Sequence, residues 1–372
     1  MTSVSITGLV RRFGEAVAVN GIDLTIRQGE FLTILGPSGC GKTTTLRMIA
    51  GLDRSDGGRI VLGDRVVDDP VSGIYVASER RSIGMVFQSY AIWPHMTAFE
   101  NVAYPLLIRR RPRAEIRQRV MQSLRLVNLE NYADRPAPAL SGGQQQRVAI
   151  ARAIVFEPTL LLMDEPLSNL DARLREVMRL ELRALQQRLG ITTVYVTHDQ
   201  DEAMSLSDRI VVMEGGNVLQ QAPPEAMYRR PATRAVARFL GAPNLFEVTI
   251  EDTGTDAEGQ PYVDVERDGV RIRAHAAAGL RSGQTATLVI RPETIRLSRP
   301  SSNPGSPSWA GTITQDSFRG ARRTYLVSHN ADTLNVDADG NSAFRTGDQV
   351  AITLDMSNLW VVRHEHNDGG RM

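Results

Sequence analysis

Cysteine is almost absent from this chain: Cys40 stands alone among 372 residues. No internal disulfide can form, which suits a reducing compartment. Net charge is nearly absent too, because 43 Lys and Arg face 42 Asp and Glu and leave +1. That balance gives no overall signal for binding a polyanion, and predicts no nucleic-acid partner. No apolar run approaches the roughly 18 residues that mark a membrane-spanning helix. The opening residues, MTSVSI, lack the basic region and apolar core of a secretory signal. What is present is an ordinary soluble composition, 42% hydrophobic and 23% charged, with length for two domains of about 100–200 residues each.

The most specific stretch is Gly36-Pro37-Ser38-Gly39-Cys40-Gly41-Lys42-Thr43. It fits G-x-x-x-x-G-K-[ST], a phosphate-binding loop. An apolar, β-prone run at 30–35 precedes it, and helical character from Thr44 to a capping Gly51 follows. Glycines let the backbone wrap an anion with inward N–H groups, and the helix N-terminus adds its dipole. Lys42 reads as the ligand of the β- and γ-phosphates and Thr43 as a Mg²⁺ ligand. Cys40 is either a reactive thiol or a small residue filling the loop.

Other candidates surround this loop. The 11–15 segment reads as a loop in which Phe13 either stacks on a base or packs ordinarily. The strand at 83–87 ends at Gln88, an amide that suits a metal or a water, though most glutamines serve neither. From 97 to 140 the chain turns helical, with Thr97 and Glu100 at capping-box spacing. The basic run at 109–113 reads as a solvated helix end. Ser141-Gly142-Gly143-Gln144 then opens a second helix whose N-terminus is ready for an anion or merely capped by serine. The apolar run at 159–163 ends in Asp164 and Glu165, at the strand end where α/β sheets hold ligands. Asp164 suits the metal-side carboxylate, and Glu165 suits a general base. Leu174, Met178, Leu182, Leu185 and Leu189 mark a helix, and the next strand ends at His198, which is either structural or a contact to the γ-phosphate or attacking water. Beyond 243 short alternating strands at 263–265, 287–290, 312–314, 325–327 and 351–354 predict a small β-barrel. A Pro/Ser-rich loop at 301–308 and a frayed tail carrying His364-Glu365-His366 complete the chain.

Taken together these motifs resemble the ATP-binding cassette (ABC) family, in its motif order, over about 3–240. The Leu140-Ser141-Gly142-Gly143-Gln144 element is the specific one. The later region, with Arg291-Pro292-Glu293-Thr294-Ile295 read on a strand, looks like the β-barrel appended to bacterial importer ATPases. The resemblance implies an α/β, P-loop nucleotide-binding cassette over 1–240: a mostly parallel sheet core, an antiparallel β subdomain and a helical subdomain at about 89–157. An all-β barrel of OB-like type, a regulatory or spacer domain, would follow at 241–372. It implies ATP and Mg²⁺ as cofactors, with ATP held by Phe13, by Gly36, Pro37, Ser38, Gly39, Cys40, Gly41, Lys42, Thr43 and Thr44, and by Ser141, Gly142, Gly143, Gln144 and Asp171. Thr43, Gln88 and Asp164 would hold the metal; Glu165, His198, Gln88 and Lys42 would be catalytic. A second copy would pair head to tail, the 89–96 segment would receive a permease helix, and a solute-binding protein would deliver cargo outside the cell. The place implied is the cytoplasmic face of the inner membrane. The 89–95 and 144–147 residues look more like the ferric-ion, polyamine and phosphonate importer ATPases than the sugar ones. A soluble, non-transport ABC ATPase is the competing class.

Overall fold

Two apolar, alternating runs near the start of the chain form a hairpin. In this computed structural model, which describes residues 2–300 and 308–364, β1 (Val4–Phe13) and β2 (Ala16–Ile26) pair antiparallel. The 11–15 segment, read as a loop, is therefore strand up to Phe13 and then a two-residue turn. Gly14 takes φ 59° at its first position, the conformation that two-residue hairpins require. The Pro/Ser-rich residues 301–307 and the tail from 365 lie outside the described residues, so of His364-Glu365-His366 only His364 is described.

The next elements are β3 (Phe31–Leu35), α1 (Lys42–Ala50), β4 (Gly57–Leu62), β5 (Arg65–Asp69), β6 (Ile74–Tyr75) and β7 (Ile83–Val86). Three helices follow, α2 (Ala98–Ile108), α3 (Arg113–Leu126) and α4 (Gly142–Ile154). Then come β8 (Leu160–Asp164), α5 (Ala172–Leu189), β9 (Thr192–Thr197), α6 (Gln200–Leu206), β10 (Arg209–Glu214) and β11 (Asn217–Ala222). One sheet is antiparallel, in the order β2-β1-β4-β5-β6; the other runs β11-β10-β3-β9-β8-β7. In the second, β10, β3, β9, β8 and β7 are mutually parallel and only the edge strand β11 is antiparallel. β3 and β9 are buried at every position, as strands covered on both faces must be.

Thr97 and Glu100 form the expected capping box at the start of α2, worth about 1 kcal/mol. Packing contributes more. Val102 and Leu106 of α2, Ile116, Val120 and Leu124 of α3, Val148 of α4, and Met178, Leu182 and Leu185 of α5 share one buried cluster. Each such side chain adds roughly 1.5–3 kcal/mol when fully buried, so the apolar seams, not the caps, set these helices.

Contacts divide the chain into two units, Met1–Pro224 and Glu225–Met372. Helical character alone places a boundary at 240/241. However, α7 (Pro224–Arg229) leads to α8 (Arg234–Phe239), whose Ala237 packs on Val289 and Val362. The second unit continues with β12 (Asn244–Thr255), β13 (Pro261–Arg267), β14 (Val270–Ala276), β15 (Thr285–Ile290), β16 (Ile295–Ser298), β17 (Trp309–Phe318), β18 (Arg322–His329), β19 (Asp332–Asp339), β20 (Gln349–Leu354) and β21 (Trp360–Arg363). β12-β13-β14-β21-β15 close into a barrel, and β16-β20-β17-β18-β19 form a second sheet. Of the 291–295 stretch only Ile295, the first residue of β16, is on a strand: Pro292–Thr294 is a 3-10 turn between β15 and β16. Pro292 has no N–H for a ladder, and the buried Arg291 guanidinium donates to Leu240 O at 2.6 Å and Tyr228 O at 2.7 Å.

Candidate functional site

The parallel register lines up the ends of four strands. Leu35 pairs with Thr197, Asp164 with Val196, and Val86 with Met163. The chain therefore leaves β3, β9, β8 and β7 along one rim, the place where such sheets hold ligands. From that rim come the 36–41 loop, His198, Glu165 and Gln88.

The loop has glycine where the backbone has no room for anything else. A Cβ on Gly36 would lie 2.2 Å from Met213 O, and one on Gly41 would lie 2.2 Å from Ala18 O. Gly41 also takes φ 99° as it caps α1, a conformation that side-chain-bearing residues rarely hold. Lys42 is buried, and its ammonium donates to Gly36 O at 2.8 Å and Pro37 O at 2.9 Å, closing the loop on itself. Cys40 is buried as well, and that burial pushes its thiol above the usual value. Little thiolate forms there, so the reading of Cys40 as a small filler holds over a reactive thiol. Gly41→Ala should cost about 1–3 kcal/mol of backbone strain, read as a lowered thermal midpoint with weakened nucleotide binding. A wild-type midpoint and affinity would mean that the loop tolerates a side chain at this φ.

Beside the loop, Thr43 Oγ1 donates to Asp164 Oδ1 at 2.8 Å. Burial pushes the Asp164 carboxyl up, and the adjacent Glu165 charge pushes the same way; the Thr43 hydrogen bond opposes both. A divalent cation would relieve this cost of ionisation. Thr43 and Asp164 are hard oxygen donors that fit Mg²⁺, which takes one or two carboxylates and completes its shell with phosphates and water. Among the described residues no group of three or more His, Cys, Asp or Glu suited to a metal occurs.

Glu165 sits at φ 42°, in the left-handed region. Its N–H donates to Val196 O at 2.9 Å, and its carbonyl accepts from Ser168 Oγ at 2.8 Å. Those bonds hold a conformation that costs about 1–3 kcal/mol. The carboxylate then meets two of the predicted residues: Oε2 lies 3.1 Å from His198 Nδ1 and accepts from Gln88 Nε2 at 3.4 Å. Gln88 is itself steadied by Asn169 Nδ2, which donates to Gln88 O at 2.8 Å.

Thus the structure brings Lys42, Thr43, Gln88, Asp164, Glu165 and His198 together. Gly36 and Pro37 meet that group through Lys42, whereas Phe13, Ser141, Gly142, Gly143, Gln144 and Asp171 form no hydrogen bond to it among the described residues. Phe13 ends β1 and is 51% exposed, with the Arg11 guanidinium over its ring 4.7 Å from the centroid. Ser141 caps α4, exchanging bonds with Gln144: Ser141 N donates to Gln144 Oε1 at 2.9 Å and Gln144 N to Ser141 Oγ at 3.4 Å. Gly143 is a packing glycine, since a Cβ there would lie 2.8 Å from Leu174 Cδ2. Asp171 caps α5 by accepting from Leu174 N at 2.9 Å. Thr44 lies in the first turn of α1, half-buried.

Three supporting residues carry little signal in the sequence. Arg152 is buried and donates to Tyr90 O at 2.7 Å and Ala91 O at 2.5 Å, with its guanidinium carbon 4.8 Å from the Trp93 ring. Tyr90 and Ala91 are both left-handed, at φ 60° and 47°. Burial pushes Arg152 down to about 10. Arg175 and Glu202 are the others, and only their spacing from the caps Asp171 and Asp199 hints at them.

The ABC transporter family model matches residues 19–168, and the TOBE domain model matches 288–362. The chain is 43% identical over 317 residues to the spermidine/putrescine import ATP-binding protein PotA of Photobacterium profundum, covering 85% of this chain and 82% of that one. It is 46% identical over 335 residues to the Fe(3+) ions import ATP-binding protein FbpC 1 of Rhizobium meliloti, covering 90% of each. It is 51% identical over 256 residues to the trehalose/maltose import ATP-binding protein MalK of Thermococcus litoralis, covering 68% and 69%. Among solved structures it resembles a dimeric ATP-binding cassette in a post-hydrolysis state bound to ADP and Pi, with TM-score 0.51 and 33% identity over 59% of this chain and 98% of that one.

Proposed function

This chain belongs to the ABC transporter family as the ATP-hydrolysing subunit of an importer, and we propose how its residues divide that work. It binds ATP, is membrane-associated, and drives import through separate permease subunits. Among the described residues no helix is long and apolar enough to cross a membrane.

The observation that carries the division of labour is the split within one chain. Lys42, Thr43, Asp164, Glu165, Gln88 and His198 share the sheet rim, whereas the exposed Ser141 tip satisfies its cap within its own helix. One chain offers a phosphate cradle; its twin offers a second helix N-terminus to the same nucleotide. Two copies paired head to tail give two such sites, with Asp171 and its neighbours at the interface and Phe13 presenting an open ring to the base. The relative that is a dimer with ADP and Pi supports this pairing.

In each site Lys42 exchanges its loop carbonyls for β- and γ-phosphate oxygens. Glu165 takes a proton from the attacking water as the new P–O bond forms and the bond to ADP breaks, with His198 and Gln88 orienting that carboxylate. Thr43 and Asp164, with Gln88, would hold Mg²⁺, which neutralises phosphate charge when bound. Hydrolysis removes the contacts that favoured the closed pair, so the pair reopens.

Ser89, Tyr90, Ala91, Trp93 and Arg152 present the permease side. Arg152 fixes the left-handed turn, and a cavity of about 230 Å³ lined by Phe87, Ala91, Trp93, Pro105 and Phe156 lies beside it. The protein works at the cytoplasmic face of the inner membrane, with a solute-binding protein outside. The 241–372 region is a spacer or regulator.

Ferric ion, a polyamine or a phosphonate is the proposed cargo class; PotA and FbpC relatives covering 85% and 90% of the chain favour it. The MalK match keeps a sugar as the alternative. The test is ATP turnover in vesicles carrying this chain and its permease subunits. Solute-binding proteins loaded with iron, spermidine, a phosphonate or maltose are added in turn. Stimulation by one of the first three is expected. Stimulation by maltose alone would move the protein to the sugar group, and turnover indifferent to any permease would favour a soluble ATPase.

A further inference from the structure

Arg175 lies one turn into α5, and its side chain touches both loops that carry the hydrolytic pair. On one side Nε donates to Leu167 O at 3.3 Å, and Nη2 donates to Ser168 O at 3.4 Å and Leu170 O at 3.0 Å. That backbone follows directly from Glu165. On the other side Nη1 lies 3.5 Å from Asp199 Oδ2, and Nε lies 3.9 Å from Glu202 Oε1.

The second loop is braced around His198. Glu202 is 2% exposed, and its Oε2 accepts from the Tyr195 and Thr197 hydroxyls, each at 2.7 Å. Thr197 Oγ1 in turn accepts from Asp199 N at 3.0 Å. The residue before His198 is thus held by Glu202, and the residue after it is held by Arg175. A carboxylate this deeply buried requires a cationic partner or full hydrogen bonding. Glu165, in its left-handed conformation, needs its loop held from outside.

We propose that Arg175 is a positioning residue for ATP hydrolysis, whose guanidinium locks the loop after Glu165 to the loop around His198 and so maintains the 3.1 Å approach of the two side chains. The inference rests on the reading of Glu165 and His198 as the hydrolytic pair. Lysine would keep the charge but not the planar fork that serves three carbonyls and two carboxylates at once.

The test compares steady-state ATP hydrolysis by the full chain as wild type, Arg175→Lys, His198→Ala and the double variant, with thermal midpoints recorded alongside. Misplacing reacting groups by an ångström costs about 100-fold, so Arg175→Lys should lower kcat by about 10- to 100-fold and leave KM for ATP unchanged. The double variant should be no slower than His198→Ala alone, because both changes act through one group. If Arg175→Lys lowers the midpoint, Asp199→Asn neutralises one of the two far-side carboxylates while keeping an oxygen for the α6 cap to Glu202 N, and should show a loss confined to kcat. Wild-type kcat in either Arg175→Lys or Asp199→Asn would overturn the inference, as would a double variant that multiplies the two single losses. Wild-type kcat in His198→Ala would instead overturn the parent reading, and the inference with it.

Discussion

Glu165→Gln binds ATP and barely turns it over: this is the expected result with the largest effect. The substitution keeps the size of the side chain and its ability to meet Gln88 and His198, which lie 3.4 Å and 3.1 Å from Oε2. It removes the group that accepts the water proton. Loss of a general base typically costs about 10²–10⁴-fold, and kcat should fall by that amount. Nucleotide binding should survive, because the cradle at 36–43 is untouched and one negative charge near the triphosphate is gone. With the chemical step blocked, the closed pair should accumulate. Gel filtration with Mg-ATP should show a dimer, and the same sample with ADP should not. Turnover near that of the wild type would remove Glu165 from the role of base.

Lys42→Ala should lose the nucleotide itself. The ammonium carries the charge in the cradle and, without ligand, bonds Gly36 O and Pro37 O. A hydrogen bond to a charged group contributes about 1.5–3 kcal/mol, and every 1.4 kcal/mol is tenfold in affinity. A loss of roughly 10- to 100-fold in ATP affinity is expected, larger if more than one phosphate bond is lost. A second effect, on stability, comes from the Gly36 carbonyl, which loses this donor at a cost of about 1–3 kcal/mol, while Pro37 O keeps Cys40 N at 3.4 Å. Titration calorimetry reads the first effect and a thermal melt reads the second, so the two separate. Unchanged nucleotide affinity would show that the backbone N–H groups suffice and that Lys42 is only a strut for the loop.

The Arg152 turn and the 3-10 turn at Pro292–Thr294 show where reading along the chain stops. The residues at 291–295 are expected on a strand by resemblance, yet Pro292 withholds a donor and Arg291 turns inward to Leu240 and Tyr228, 51 and 63 positions away. β14 alternates without a break in sequence, but Arg271, Arg273 and His275 dilute its apolar content. Its place in the barrel depends on pairing with β13 on one side and β21 on the other. Of the ten strands in the second unit, β12, β14, β16, β19 and β21 fall outside the runs picked out along the sequence.

What the amino-acid order determined by itself was everything set within a few residues. The loop at 36–43 declares its glycines and its lysine, Thr97 declares its capping box, Ser141 declares a helix start, and the apolar run before Asp164 declares a buried strand. These are local steric and hydrogen-bonding rules, so they can be read in a window of about ten residues. Only the folded chain decided which of those pieces meet. Gln88, Glu165 and His198 come from three strands that are neighbours only through sheet order and register, and Glu165 reaches the other two from a left-handed conformation that its own sequence disfavours. Arg175 and Glu202 became visible for the same reason. A contact between distant residues has no local energetic signature, because its free energy exists only once the sheet has brought both ends to one rim.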